Sequence, residues 1–277
     1  MSGVQAMLLA TFLFSAMNVC VKYVSHLPVL EIVFFRSLFS LCITVFYLWL
    51  KKISIRGKNY GWLVLRGIAG TGSLVLHFFT LQKIHLASAT TLQFLSPIFS
   101  AILGVWILRE RLRKTDYLFF LISFLGVVIL SGFDVSIRWY NAALGVFSAM
   151  LAGLAYNSIR KVKDSEHPMV VVLFFPLVAL PVTGFYTIFN FVLPSLKDFL
   201  FLLAIGLITQ MAQYFMALAY QKEAIAKVAI LRYLGIIYAI FFGYFLFDEK
   251  LNFLSLVGIV LVLLGVGGKS LERKQFH

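Results

Sequence analysis

Apolar stretches of membrane-crossing length recur along this chain, with the polar residues gathered between them. A bilayer core takes about 20 apolar residues per helical crossing. Uncharged runs near that length occupy Met1–Val21, Leu86–Leu108, Tyr117–Phe133, Trp139–Ile159, Phe199–Gln221 and Leu251–Gly268. Three more stretches, 29–50, 60–82 and 223–247, keep the same character around isolated charges, and Pro168–Leu196 has the length of one tilted or kinked helix. The pattern predicts an all-α integral membrane protein with ten transmembrane helices. Loops of about 3–10 residues remain between them, leaving no room for a soluble domain.

The same pattern repeats. Residues 1–133 and 140–268 read as two copies of one unit at an offset of 139 residues, before a tail at 269–277. Asn18 pairs with Asn157, Lys22 with Lys161, Gly104 with Gly243, Glu110 with Glu249 and Gly126 with Gly265. Five crossings per copy turn the second upside down relative to the first, the build that secondary transporters use to alternate access. The expected architecture is therefore two inverted five-helix repeats.

Composition agrees with the apolar pattern. With 61% hydrophobic and 13% charged residues, the chain cannot cover its own apolar surface in water. Its net charge of +13 would suit nucleic acid, but the positions of the charges argue otherwise. With the N-terminus in the cytoplasm, the inner connections (51–58, 109–114, 160–163, 222 and 269–274) hold fifteen Lys and Arg, and the outer ones hold five, Lys22, Lys83, Arg138, Lys197 and Lys250. That imbalance obeys the positive-inside rule with both termini cytoplasmic, and it fits a bacterial-type inner membrane. Cys20 and Cys42 fall within spans and define no disulfide framework. The first apolar run exceeds a signal-peptide core and lacks a basic start, so it reads as a retained helix.

Charge at membrane depth costs about 2.5–3.5 kcal/mol on insertion scales and asks for a reason. Four cations lie inside spans: Arg36, Arg66, Lys227 and Arg232. Arg66 and Lys227 sit within about two turns of cytoplasmic span ends, where their stems reach the headgroups. Arg36, about two turns from the outer end of span two, either pairs with Glu31 or serves an outer gate. Arg232 is deepest, roughly 12–15 Å into span nine. All eleven acidic residues fall at or beyond span ends. An anionic or zwitterionic substrate, a tyrosine hydroxyl or helix-end carbonyls would therefore have to satisfy Arg232. The same shortage of carboxylates leaves His77 as the titratable candidate near neutral pH.

Gln93 is the first-copy counterpart of Arg232 and stands four residues before Pro97. A proline there donates no hydrogen bond and displaces the Gln93 carbonyl, so span four should kink with backbone and amide open to a ligand. The second copy has Ile236 at the matching position and should lack that kink, with Gly235 supplying flexibility. Asn18 and Asn157, near opposite faces, suit either gate closure or interhelical bonding. Gln210 and Gln213 share a helical face, and with Gln82, Tyr233 and Tyr238 they complete the expected polar and aromatic lining.

These residues carry a resemblance. Glu31-Ile-Val-Phe-Phe-Arg36, Leu65-Arg66-Gly67, Ser96-Pro97 with Gly104 and Arg109-Glu110-Arg111-Leu112, and Gly243 with Phe247-Asp248-Glu249-Lys250-Leu251 look like the EamA-type branch of the drug/metabolite transporter superfamily, over nearly the whole chain. The resemblance implies a central cavity bounded by spans 1, 3, 4, 6, 8 and 9, with spans 2 and 7 gating it and spans 5 and 10 as scaffold. It implies a structural helix-end role for Glu110 and Glu249, and members that move amino acids, nucleobases or nucleosides, vitamins and other metabolites. Carriers of S-adenosylmethionine share several of these motifs.

The expected function is alternating-access transport of a small zwitterionic or weakly anionic metabolite, by export or exchange. A vitamin or S-adenosylmethionine carrier of the same fold is the alternative, and a structural or sensory membrane protein is the rival of another class. An enzyme would need a catalytic constellation in the spans, and the five histidines, 26, 77, 85, 167 and 277, are scattered. No metal or cofactor is expected. The expected partners are a small-molecule substrate, the lipid bilayer and, at most, a second copy in a homodimer.

Overall fold

The computed structural model describes residues 2–109, 114–134, 137–162, 165–222 and 230–272, and all regular structure in them is helical. The helices are α1 (Gly3–Tyr23), α2 (Val29–Leu50), α3 (Tyr60–Lys83), α4 (Leu86–Gln93), α5 (Ser96–Ile107), α6 (Lys114–Phe133), α7 (Trp139–Val162), α8 (Pro168–Phe189) and α9 (Leu196–Lys222). A 3₁₀ turn (Ile230–Tyr233), α10 (Leu234–Phe247) and α11 (Phe253–Glu272) complete them. Seven of these stretches, counting Leu86–Ile107 as one, are long and apolar enough to cross a bilayer. Shorter apolar helices cover Tyr117–Leu130, Leu231–Phe247 and Phe253–Gly265. The chain is a multi-pass membrane protein. Its outer faces fit lipid, since large apolar side chains such as Trp106, Phe185 and Val128 are 82%, 70% and 67% exposed.

Local chemistry sets the helix ends. Ser2 caps α1 in a reciprocal box: the Gln5 amide N–H donates to Ser2 Oγ (3.2 Å) and the Ser2 N–H donates to Gln5 Oε1 (2.9 Å). Asp248 closes α10 in the left-handed region at φ 50°, which a short polar side chain tolerates. Arg109, its counterpart in the first copy, adopts the same region at φ 57°.

Packing pairs α6 with α11, α1 with α9, α3 with α7 and α2 with α8, while α4 meets α10 near the centre. Lipid gives helices no hydrophobic reason to associate, so close backbone approach has to do it. A β-carbon on Gly126 would stand 2.8 Å from the Gly258 carbonyl oxygen, and one on Gly258 would stand 2.8 Å from the Gly126 carbonyl oxygen. Backbone therefore touches backbone between α6 and α11. The buried core runs through Ile32, Phe78, Leu81, Leu92, Leu95, Ile98 and Ile236, where α2, α3, α4, α5 and α10 converge.

The break between α4 and α5 follows from Pro97. The Leu95 N–H turns to the Leu92 carbonyl at 3.1 Å, a three-residue step, and the Ile98 N–H donates to the Leu95 carbonyl at 2.9 Å. The second copy does not behave as Ile236 suggested. Its 3₁₀ turn ends at Tyr233 and α10 starts at Leu234, the register of Phe94 and Leu95 in the first copy. The 3₁₀ turn runs directly into α10, so the helix type changes at this register without a proline. Gly235 follows immediately and lets Phe94 and Thr11 approach to 3.3 and 3.4 Å of where its β-carbon would be.

Candidate substrate site

The two breaks bring the deepest polar groups together. Gln93, the last residue of α4, reaches α3 and α7: Ser148 Oγ lies 2.8 Å from Gln93 Oε1 and 2.8 Å from the Ser73 carbonyl oxygen, and Gln93 Nε2 donates to Ser73 Oγ at 3.4 Å. Just past the break, the Phe94 ring meets Tyr233 edge-on at 5.4 Å. Next to Tyr233, Arg232 Nη2 donates to the Tyr156 hydroxyl at 3.5 Å, with the guanidinium 5.8 Å from the ring centre. The Tyr156 hydroxyl is also within reach of Ser96 and of the Arg66 charge.

Arg66 departs from its expected place. Its Nη1 lies against Gly70, one turn further along α3, where a β-carbon would collide with it. The side chain thus runs into the bundle instead of out to the headgroups. Its guanidinium rests 5.5 Å from the Phe175 ring centre, and Arg36 occupies the same ring at 5.0 Å. Glu31 is not the partner of Arg36: its carboxylate accepts the Val192 N–H at 3.1 Å, in the first turn of α2. Arg36 is 6% exposed, and its Nε and Nη1 find no hydrogen-bond partner among the described residues.

Other expected residues lie apart from this cluster. Gln210 ties α9 to α2, accepting from Ser40 Oγ at 2.9 Å and donating to Thr44 Oγ1 at 3.3 Å. Asn157 Nδ2 donates to the Ser100 carbonyl at 2.8 Å, a brace between α7 and α5. Asn18 is buried with no partner for its Oδ1 among the described residues. Gln82 donates to the Leu27 carbonyl at 3.1 Å and lines a cavity of about 540 Å³ at the α1–α2 connection with His26 and Tyr186. Tyr238 stands edge-on to Phe12 at 5.7 Å. His77 is buried near the Phe78 ring, and Gln213 is half-buried on α9. Glu110 and Lys227 lie outside the described residues.

Glu249, just past α10, ties it to α1 and α4. It pairs with Lys22 of α1 and accepts the Leu86 N–H of α4 at 2.7 Å, while Lys22 also donates to the Ile84 carbonyl at 2.9 Å. Beside it, Asp134 binds Ser88 and stands 2.9 Å from His85 Nδ1. The hydrogen bond to Asp134 lifts the His85 imidazole above its ordinary value. Tyr156, Phe175, Ser73 and Ser148 were not anticipated. Each is an unremarkable residue in an apolar helix, and only tertiary contact gives it a polar neighbour.

A model of the EamA-like transporter family matches residues 1–132 and, again, residues 139–269. The chain belongs to this family. Among its relatives, the pseudopaline exporter CntI of Pseudomonas aeruginosa (strain UCBPP-PA14) is 33% identical over 278 residues, covering 99% of this chain and 97% of that protein. Solute carrier family 35 member G1 of Mus musculus is 28% identical over 286 residues, covering 96% of this chain and 77% of that protein. A solved crystal structure shares the fold at a TM-score of 0.68 over 99% of both chains, with 16% identity. This EamA-like chain is thus a membrane transporter of small molecules, and its named relatives are an exporter and a solute carrier.

Proposed function

We propose that this EamA-like protein is a ten-span carrier that exports or exchanges a small zwitterionic or weakly anionic metabolite, such as an amino acid, a nucleobase or a related solute. Its halves, 1–133 and 140–268, are inverted five-helix repeats that rock about the midplane in the inner membrane, with both termini and the 269–277 tail in the cytoplasm. The packing pattern supports the repeat. Counting α4 with α5 as one crossing and the 3₁₀ turn with α10 as another, moving every helix five crossings along exchanges the α1–α9 contact with the α3–α7 contact. The same shift returns the α2–α8, α6–α11 and α4–α10 contacts to themselves. The double match of the family model supports it too.

One observation carries the substrate reading. Regular α-helix gives way at the same register of both central crossings, to a turn at Phe94–Leu95 and to a 3₁₀ turn ending at Tyr233, and a polar residue stands beside each, Gln93 bonded to Ser148 and Arg232 to Tyr156. Interrupted helices at midplane are where secondary transporters bind their cargo. Export is favoured by the name of the Pseudomonas relative. Untargeted profiling of cells and medium tests the reading, comparing overexpressed wild type with Arg232→Ala at equal membrane abundance. One solute class should move with wild type alone. Identical profiles for the two proteins would make Arg232 structural, and flux absent from both cells and vesicles would end the transport reading.

A further inference from the structure

We propose that Arg36 and Arg66, both resting on Phe175, read two separate anionic groups on the substrate, so that the transported solute carries at least two negative charges. The inference rests on the transporter reading and narrows its substrate class. Arg36 and Arg66 come from helices of opposite direction, α2 and α3, and meet on a single ring of α8 at 5.0 and 5.5 Å. Their separation is therefore no greater than the sum of those distances. Neither forms an ion pair among the described residues, and Arg36 Nε and Nη1 and Arg66 Nε are buried without acceptors.

Such an arrangement is costly when empty. Like charges this close repel, and burial strengthens the repulsion. The quadrupole of the Phe175 face attracts each guanidinium but neutralises neither. Two forked donors left with unused N–H groups are built to take two carboxylates or comparable anions. A single negative charge would leave one arginine uncompensated. Arg36 also lies roughly 10 Å below the outer end of α2, beneath the headgroup layer, so the anion it awaits is a solute and not a phospholipid. Tyr156 connects this pair to Arg232, which is placed to hold a third polar group of the same solute.

The test uses the purified full chain in vesicles loaded with straight-chain α,ω-dicarboxylates of increasing length, their monomethyl esters and a polar extract of host cells, with efflux followed by mass spectrometry. Wild type should release solutes bearing two or more anionic groups. Arg36→Gln and Arg66→Gln should each slow that release roughly tenfold, with Lys at either position restoring part of it. Competition on wild type alone, which needs no variant to fold, should find a dicarboxylate roughly tenfold more effective than its monoester. Release confined to solutes with fewer than two anionic groups, unchanged in both Gln variants, would overturn the two-anion assignment and leave the transporter standing. Folded wild type that releases nothing from either the synthetic series or the extract would overturn both.

Discussion

The two interrupted crossings differ more in chemistry than in shape. In the first, Pro97 imposes the break and Gln93 is absorbed into a closed set of hydrogen bonds with Ser73 and Ser148. In the second, Ile236 replaces the proline, a 3₁₀ turn passes into α-helix at the same register, and the polar group is a cation bonded to Tyr156. The fold conserves the interruption while the residues that cause it and the group it presents have diverged. Symmetric motion and asymmetric recognition are thereby compatible in one molecule.

The largest effect should come from undoing what holds the two crossings together. Glu249→Ala leaves the Leu86 N–H without its acceptor and Lys22 with the Ile84 carbonyl but no counter-charge, and should cost about 3 kcal/mol in thermal unfolding of the detergent-purified protein. Next, Arg232→Ala should lower vesicle efflux by roughly two orders of magnitude. Gln93→Ala should lower it only about tenfold, because Ser148 keeps the Ser73 carbonyl as an acceptor. Equal losses from the two variants would erase the chemical contrast.

Exchanging the break residues probes its structural half. Ile236→Pro falls in the first turn of α10, where an N–H has no helical acceptor to lose, and should change stability by less than about 1 kcal/mol. A large loss would mean that the second interruption depends on the isoleucine itself. The smallest effect is a pH dependence. The His85 value is raised in the folded protein, so its contribution with Asp134 is complete below about pH 6.5 and fades as pH climbs through the raised value. The thermal midpoint of wild type should slip over that window, and Asp134→Asn should flatten the slope.

Much of this architecture was legible in the sequence because membrane helices declare themselves by length and hydropathy, and a proline declares a break. Pro97 did so. The matching interruption before Leu234 was not legible, since Ile236 is a good helix residue and Gly235 alone is ambiguous. The site was read less well than the fold. Helical spacing put Gln210 on a polar face but could not say that Ser40 and Thr44 of another helix already occupy it. Depth counted along the helix gave Arg66 an easy way out to the headgroups, whereas space at Gly70 and the Phe175 face draw it inward. Nothing local distinguishes Phe175 among 29 phenylalanines.

The glycine contact between α6 and α11 has a practical use. With a carbonyl oxygen where a β-carbon of either glycine would sit, the two backbones leave no gap between them, and a slide would bring the bulkier residues on either side of the glycines into that contact. Probes on the exposed Val128 and Leu264 would therefore keep one separation through the whole transport cycle. That pair is a built-in ruler, a fixed baseline against which the displacement of every other helix can be measured.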